Sequence, residues 1–168
     1  MVRYAAGDPE AFRDLYDRWA DRVYGFCLRQ LGDEAEAADA FQDTFRRLIE
    51  ARDRYEEQGR FRSWLFTLAR RACAERARSR TSRREDSLEE ETAATPVAET
   101  DDPGRRAADR DQLRRALAEL TEGQREALLL SRYEGFTYAE IADMTDSTEA
   151  AVKQRVYRAL RKLRGEGG

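Results

Sequence analysis

The side chains best placed to do chemistry in this sequence are cationic, and they are bunched. Between Thr148 and Arg164 stand Lys153, Arg155, Arg158, Arg161, Lys162 and Arg164, with no acid after Glu149. Val152, Val156, Ala159, Leu160 and Leu163 recur at the offsets of a 3.6-residue period, so they form one apolar stripe and the cations fan over the other side. Such a face is either a solvated surface or a helix that lies against phosphate. A second basic stretch, "FRSWLFTLARRACAERARSR", has a similar character: from Arg60 to Arg80 there are seven arginines and one acid, Glu75. The residues of covalent and metal chemistry are missing. With no histidine, the commonest general base and commonest metal ligand are absent. No GxxxxGK[ST], GxSxG or GxGxxG spacing occurs, and the carboxylates are scattered along polar faces. No catalytic residue, metal site or cofactor is expected, and the sequence reads as that of a binding protein rather than an enzyme.

Both basic helices sit in a chain of 168 residues whose net charge is −3. The distribution resolves the contradiction. Residues 1–80 carry 16 basic and 15 acidic groups and residues 105–164 carry 13 and 10, whereas residues 81–104 carry 2 and 8. That middle segment is rich in Thr, Ser, Ala and Pro and has scarcely an apolar residue beyond Leu88 and Val97, so it reads as a flexible acidic linker. Its 24 residues would span roughly 27 Å as a coil and up to about 80 Å extended. Binding to a polyanion depends on how charge is spread over surfaces, so an acidic whole does not exclude it. No apolar run approaches the roughly 20 residues of a bilayer span, and no apolar signal segment opens the chain; no membrane insertion and a cytoplasmic location are expected. Cys27 and Cys73 lack a CxxC spacing and suit small core positions.

The elements that position these residues are all helical. In "GDPEAF", Asp8 is an N-cap and Pro9 a first helical residue; Phe12, Leu15, Tyr16, Trp19, Val23, Phe26 and Leu31 mark a buried side, and Gly32 ends the helix. Asp33 with Glu36 resembles a capping box for a second helix through Phe41, Phe45, Leu48 and Ile49. "RDRYEEQGR" reads as a loop, and a third helix follows with Phe61, Trp64, Leu65, Leu68 and Ala72 for packing. Beyond the linker, Leu113, Ala116, Leu117 and Leu120 share a helical phase, Thr121 with Gln124 caps the next helix, Gly135 breaks it, and Thr137 with Glu140 caps a short one, "YAEIADM". The turn "TDS" and an N-cap at Thr148 lead into the basic helix. A short helix, a tight turn and a longer helix with a basic outer face form the helix-turn-helix pattern, whose second helix enters the major groove. The fold class expected is all-α: two small helical domains, 1–80 and 105–168, joined by the linker at 81–104.

"LTEGQREALLLSRYEGFTYAEIADMTDSTEAAVKQRVYRALRKL" resembles the C-terminal DNA-binding domain of bacterial sigma factors of the extracytoplasmic-function (ECF) type. "GDPEAFRDLYDRWADRVYGFCLRQLGDEAEAADAFQDTFRRL" followed by "GRFRSWLFTLAR" resembles their N-terminal domain. The resemblance implies an RNA polymerase subunit with core polymerase and promoter DNA as partners, an anti-sigma factor as a further candidate, and no catalysis of its own. It points to Asp39, Gln42, Asp43, Phe45 and Arg46 for core polymerase. Tyr55, Phe61, Arg62 and Trp64 would capture an unstacked base of the −10 element, and Arg70, Arg71, Arg76 and Arg78 would track its backbone. Aromatics beside arginines are also the ordinary means of holding single-stranded bases, although Phe61 and Trp64 suit a core equally by their spacing. The −35 element would fall to Thr148, Ala151, Lys153, Gln154, Arg155 and Arg158. Where many relatives have Leu-Gly-Ile in the turn, this chain has Thr145, Asp146 and Ser147; Asp tolerates the left-handed conformation, but two apolar anchors are lost. Many also have Asn where Arg71 stands. Two other readings remain open from sequence: a stand-alone helix-turn-helix regulator, or a sigma-derived protein-binding adaptor.

Overall fold

The computed structural model describes residues 1–86 and 103–165, and among them every regular element is helical. The chain divides after Asp86 into two units. The first contains α1 (Val2–Ala5), α2 (Pro9–Leu31), α3 (Glu34–Glu50), a 3₁₀ turn (Arg52–Arg54) and α4 (Phe61–Asp86). The second contains α5 (Pro103–Ala118), α6 (Glu122–Leu128) continued by a wider π turn (Leu129–Tyr133), α7 (Tyr138–Thr145) and α8 (Glu149–Leu163).

Local chemistry sets the helix ends of the first unit. Asp8 accepts the Glu10 N–H at 3.0 Å, Pro9 takes the first helical position, and Gly32 closes α2 at φ 69° with its N–H on the Leu28 carbonyl. Asp33 accepts the Glu36 N–H at 2.9 Å, yet only half of the expected box forms, because the Glu36 carboxylate accepts instead from Arg83 on α4 at 2.7 Å. That contact accompanies a correction to the reading of the linker. Helix α4 does not stop at Arg80 but takes in residues 81–86, a continuation with a tertiary partner that composition alone does not reveal. α5 likewise starts at Pro103, and the rest of the acidic segment, 87–102, lies outside the described residues. The core of the unit is Val23, Phe26 and Cys27 of α2, Ala37, Ala40 and Leu48 of α3, and Leu65, Phe66, Ala69, Ala72 and Cys73 of α4, all essentially inaccessible. Burying a Leu or Phe side chain contributes about 1.5–3 kcal/mol. Phe66 sits at its centre, 5.6 Å from Phe26 and 6.4 Å from Trp19 between ring centroids.

In the second unit both expected capping boxes form. Thr121 and Gln124 exchange side-chain and backbone bonds at the start of α6, and Thr137 and Glu140 do so at α7. The π turn carries α6 past Leu128 before Gly135 (φ 70°) reverses the chain, and it tucks Leu129, Leu130 and Phe136 inward. At the end of α7, Asp146 adopts φ 49°, the left-handed conformation expected of it. The Ser147 N–H reaches back to the Ala142 carbonyl at 3.0 Å. The lost apolar anchors are replaced by a hydroxyl pair, Thr145 and Ser147 at 2.9 Å, with Thr145 also donating to the Ile141 carbonyl. Thr148 then caps α8 by accepting the Ala151 N–H. Ile141, Met144, Val152, Val156 and Ala159 close the core; Leu160 is half-buried, whereas Leu163, at the frayed end of the expected stripe, is exposed.

A guanidinium–carboxylate clamp fastens α4 to α3. Arg76 donates to Asp39 at 2.8 Å and to Asp43 at 3.0 Å, and Asp43 also accepts from Arg46 at 3.2 Å. Burial opposes ionisation of Asp43, but the bonds from Arg76 and Arg46 outweigh it and hold its carboxyl below the ordinary 3.8. A depressed carboxylate contributes stability that is present above its unfolded value and lost as pH falls through the folded one. Asp43→Asn is therefore expected to destabilise the unit by about 1–2 kcal/mol near neutral pH, and the gap to the unsubstituted protein should start to narrow as pH falls below about 5 and go on narrowing until the folded value, below 3.8, is passed. Urea unfolding followed by circular dichroism across that range checks it; a gap independent of pH would contradict the clamp.

Candidate nucleic-acid interface

Where the 3₁₀ turn meets α4, three of the four residues expected to hold a base come together. The Tyr55 and Trp64 rings lie 5.0 Å apart, Phe61 is 5.9 Å from Trp64 and 6.3 Å from Tyr55, and Trp19 backs Phe61 at 6.1 Å. All three are half-buried, so each has a packed side and an open side. Tyr55 and Trp64 wall an open cleft of about 280 Å³ whose rim also includes Arg54, Glu56, Gln58 and Arg60. Phe61 is not part of that wall; it supports Trp64 from behind. Arg62 is a correction: half-buried and on the face of α4 that carries Phe66 and Ala69, it does not line the cleft, and Arg54 and Arg60 supply the cations there instead. The loop has its own scaffold. Glu57 accepts from the Tyr55 hydroxyl at 3.0 Å and from the Gly59 N–H at 2.6 Å. Burial and then the bond to Glu57 push the Tyr55 hydroxyl up to about 12, so it stays a neutral donor. Two aromatic faces beside cations suit an unstacked base.

Along the rest of α4 the arginines divide by helical phase. Trp64, Arg71 and Arg78 follow one another at intervals of seven residues, a line about 21 Å long at 1.5 Å per residue on the side away from Leu65, Ala69 and Ala72. Arg71 and Arg78 are exposed and Arg70 is half-buried. Arg76 is turned the other way, into its clamp with Asp39 and Asp43, and is not part of the outer cationic line.

On α3, Asp39, Gln42 and Arg46 are exposed and Asp43 is half-buried in the clamp. Phe45 is a correction: at 5% exposure it is core, 5.0 Å from both Tyr16 and Phe41. The aromatic open to solvent on that side is Phe41, half-buried between Tyr16 at 6.0 Å and Tyr24 at 5.9 Å. Gln42 and Phe41 therefore offer more surface than Phe45 does.

On α8 the buried line Val152, Val156 and Ala159 turns Ala150, Gln154, Tyr157 and Arg161 outward, with Lys153 and Arg158 exposed to either side. Thr148 stands exposed at the N-terminus as the cap, and Ala151 is half-buried. Arg155 is less outward than its place in the sequence suggests. Its side chain lies half-buried over Gly123 of α6, where a Cβ would come within 3.9 Å of its Cδ and Nε. Lys162 donates to the Glu119 carbonyl. Tyr157, 61% exposed among the cations, was missed by sequence reasoning; the available signal was that it falls outside the 152/156/159 stripe. A helix with a small N-terminal residue, an amide, an aromatic and flanking cations on one face can contact base edges and phosphates together.

Two family models match the chain, one for each unit: sigma-70 region 2 over residues 15–83 and sigma-70 region 4 over residues 110–163. The chain is 36% identical to the RNA polymerase sigma factor CarQ of Myxococcus xanthus, over 98% of this chain and 93% of the relative. It is 34% identical to the ECF RNA polymerase sigma factor SigL of Mycobacterium tuberculosis, over 95% and 90%. Among solved structures it is similar to the sigma factor RpoE of Bartonella quintana, crystallised with the anti-sigma factor NepR, with a TM-score of 0.78, 25% identity and coverage of 94% and 96%. It shares the fold of CnrH, solved with the cytosolic domain of CnrY, at a TM-score of 0.73 and 23% identity over 98% and 92%. Among the described residues no helix is long and apolar enough to cross a membrane. The chain belongs to the sigma-70 family of RNA polymerase sigma factors, within its extracytoplasmic-function group.

Proposed function

We propose that this sigma factor directs core RNA polymerase to promoters by holding an unstacked −10 base in the cleft lined by Tyr55 and Trp64 and reading the −35 element with the outer face of α8. The open aromatic cleft with Arg54 and Arg60 at its rim carries this reading. A base leaving the duplex loses its stacking, and an aromatic face in the cleft returns about 1–3 kcal/mol of it per base, which favours the melted state without a chemical step. Arg71 and Arg78 continue outward from the cleft and suit the backbone of the same strand, attracting it by counterion release. No catalytic role is assigned to any residue. Core polymerase would dock on α3 around Asp39, Gln42 and Arg46, with Phe41 rather than Phe45 as the aromatic contact. The cytoplasm, where polymerase works, is the proposed location. The likeness to the Bartonella protein supports an anti-sigma factor as a further partner.

Three outcomes follow from this reading. Trp64→Ala in the holoenzyme is expected to weaken binding to a fork-junction −10 DNA by about 1–3 kcal/mol, while binding to duplex carrying only the upstream element stays within twofold of the unsubstituted holoenzyme; equal losses on both would point to a folding defect instead. Gln42→Ala combined with Asp39→Ala should cut co-purification with core polymerase while helicity by circular dichroism is retained. Undiminished recovery would remove α3 from the docking surface, and failure of the unsubstituted protein to bind core polymerase would favour a stand-alone regulator or an adaptor. On α8, Gln154→Ala should cost about 1–3 kcal/mol at particular −35 bases, whereas Lys153→Ala should weaken every sequence alike and lower the salt slope by about one. Anisotropy titrations at several salt concentrations, with matched and scrambled upstream elements, separate the two roles.

A further inference from the structure

The cleft is built on a segment with little regular structure of its own. Between the end of α3 and Phe61 the only regular element is the 3₁₀ turn Arg52–Arg54, and Tyr55 hangs from it by an N–H to the Arg52 carbonyl at 3.4 Å. The side chain of Arg52 reaches the opposite way, toward the N-terminal segment. Its guanidinium carbon lies 5.1 Å from the centre of the Tyr4 ring, and its Nε donates to the Tyr4 carbonyl at 3.1 Å. Gly7 turns the chain beside it at φ +97°, a conformation that other L residues rarely adopt, and lies at ordinary contact distance from a terminal nitrogen of Arg52. Tyr4 in turn packs on Phe12 of α2 at 5.3 Å, and Arg3 pairs with Asp8 at 2.6 Å and Asp14 at 3.1 Å.

A four-residue helix such as α1 cannot hold itself together in water, because nucleation costs more than one turn returns. It is ordered by what it touches. The Arg3 pairs are exposed, and pairs of that kind are worth little. The half-buried Arg52, which joins a cation–π contact to a hydrogen bond on a main-chain oxygen, is the stronger tie.

We propose that Tyr4 and Arg52 are positioning residues for base capture: the segment from Val2 to Asp8, anchored on α2, grips Arg52 and so fixes the turn from which Tyr55 faces Trp64. This rests on reading the Tyr55–Trp64 cleft as the base site. The clamp touches no DNA in that arrangement; it acts through the placement of Tyr55. An aromatic wall discriminates between a base and no base only while its rings keep their orientation, so loosening the clamp should erode that discrimination before it erodes folding or assembly.

The test uses holoenzyme formed with the full chain and a fork-junction DNA whose single-stranded −10 segment has been selected by the unsubstituted holoenzyme from a randomised pool. Each −10 position is replaced in turn by an abasic nucleotide. The unsubstituted holoenzyme should show one position at which the abasic change weakens binding about tenfold or more. Arg52→Ala should lose affinity for the intact fork but not for the abasic fork, shrinking that ratio below about threefold with polymerase assembly unchanged, and Tyr4→Leu, which keeps bulk against Phe12 and the carbonyl acceptor but removes the ring beneath the guanidinium, should shrink it part of the way. Arg52→Lys, which keeps a cation over the ring with a different donor geometry, should retain part of the ratio. If Arg52→Ala does not assemble, the Tyr4→Leu ratio decides. An undiminished ratio in the assembled variants overturns the clamp and leaves the cleft reading intact. Absence of any abasic-sensitive position in the unsubstituted holoenzyme overturns the cleft reading and the clamp together.

Discussion

A continuous run of aromatic contacts carries the core of the first unit out to its working surface. It begins at Phe26 and Phe66, passes through Trp19 to Phe61, and ends at Trp64 and Tyr55, each step between 5.0 and 6.4 Å. Such pairs contribute about 0.5–1.5 kcal/mol beyond the area they bury. Their larger consequence is geometric. The inner rings are held by close packing, so Trp64, on the helix that carries Phe66, cannot drift far, and that wall of the cleft inherits the rigidity of the interior. Trp19, the middle ring, also has the guanidinium groups of Arg18 and Arg22 at 5.9 and 5.3 Å.

Arginine serves two opposed ends on α4, and helical phase decides which. At Arg76 and Arg83 the guanidinium turns toward α3 and meets the carboxylates of Asp39, Asp43 and Glu36. At Arg71 and Arg78 it points outward. The inward group fastens the helices; the outward group leaves positive charge where a polyanion can approach. Arg47 of α3 adds a reciprocal tie to Glu75 of α4. Neutralising the inward arginines also confines the positive field to one face, and it is the distribution of charge over a surface, more than the total, that governs attraction to phosphate.

The second unit reaches its geometry by a different route. Two of its helices, α6 and α7, are short, so their ends matter more than their middles, and the boxes at Thr121 and Thr137 satisfy backbone donors that would otherwise be orphaned. The turn into α8 uses the left-handed Asp146 and the Thr145–Ser147 hydroxyl pair where an apolar turn would rely on burial. Directional bonds thus aim the basic helix that a greasy contact would otherwise aim.

The sequence alone determined what depends on short-range rules. The caps at Asp8, Asp33, Thr121, Thr137 and Thr148, the stop at Gly32 and the left-handed Asp146 could all be read from residue type and spacing, because their bonds close within a few residues. The tertiary structure alone decided which face of α4 is buried. Phe61, Trp64, Leu65, Phe66 and Leu68 are spread round that helix, so periodicity did not single out Phe66 as the centre or assign Trp64 to the cleft wall. The same limit applies to Phe45, whose neighbours on α2 bury it, to Arg62 and Arg76, which face inward, and to Arg155, held over Gly123. A side chain's phase on its own helix can be read from sequence, but its exposure is set by whichever other helix occupies the space beside it, and that neighbour is remote in the chain.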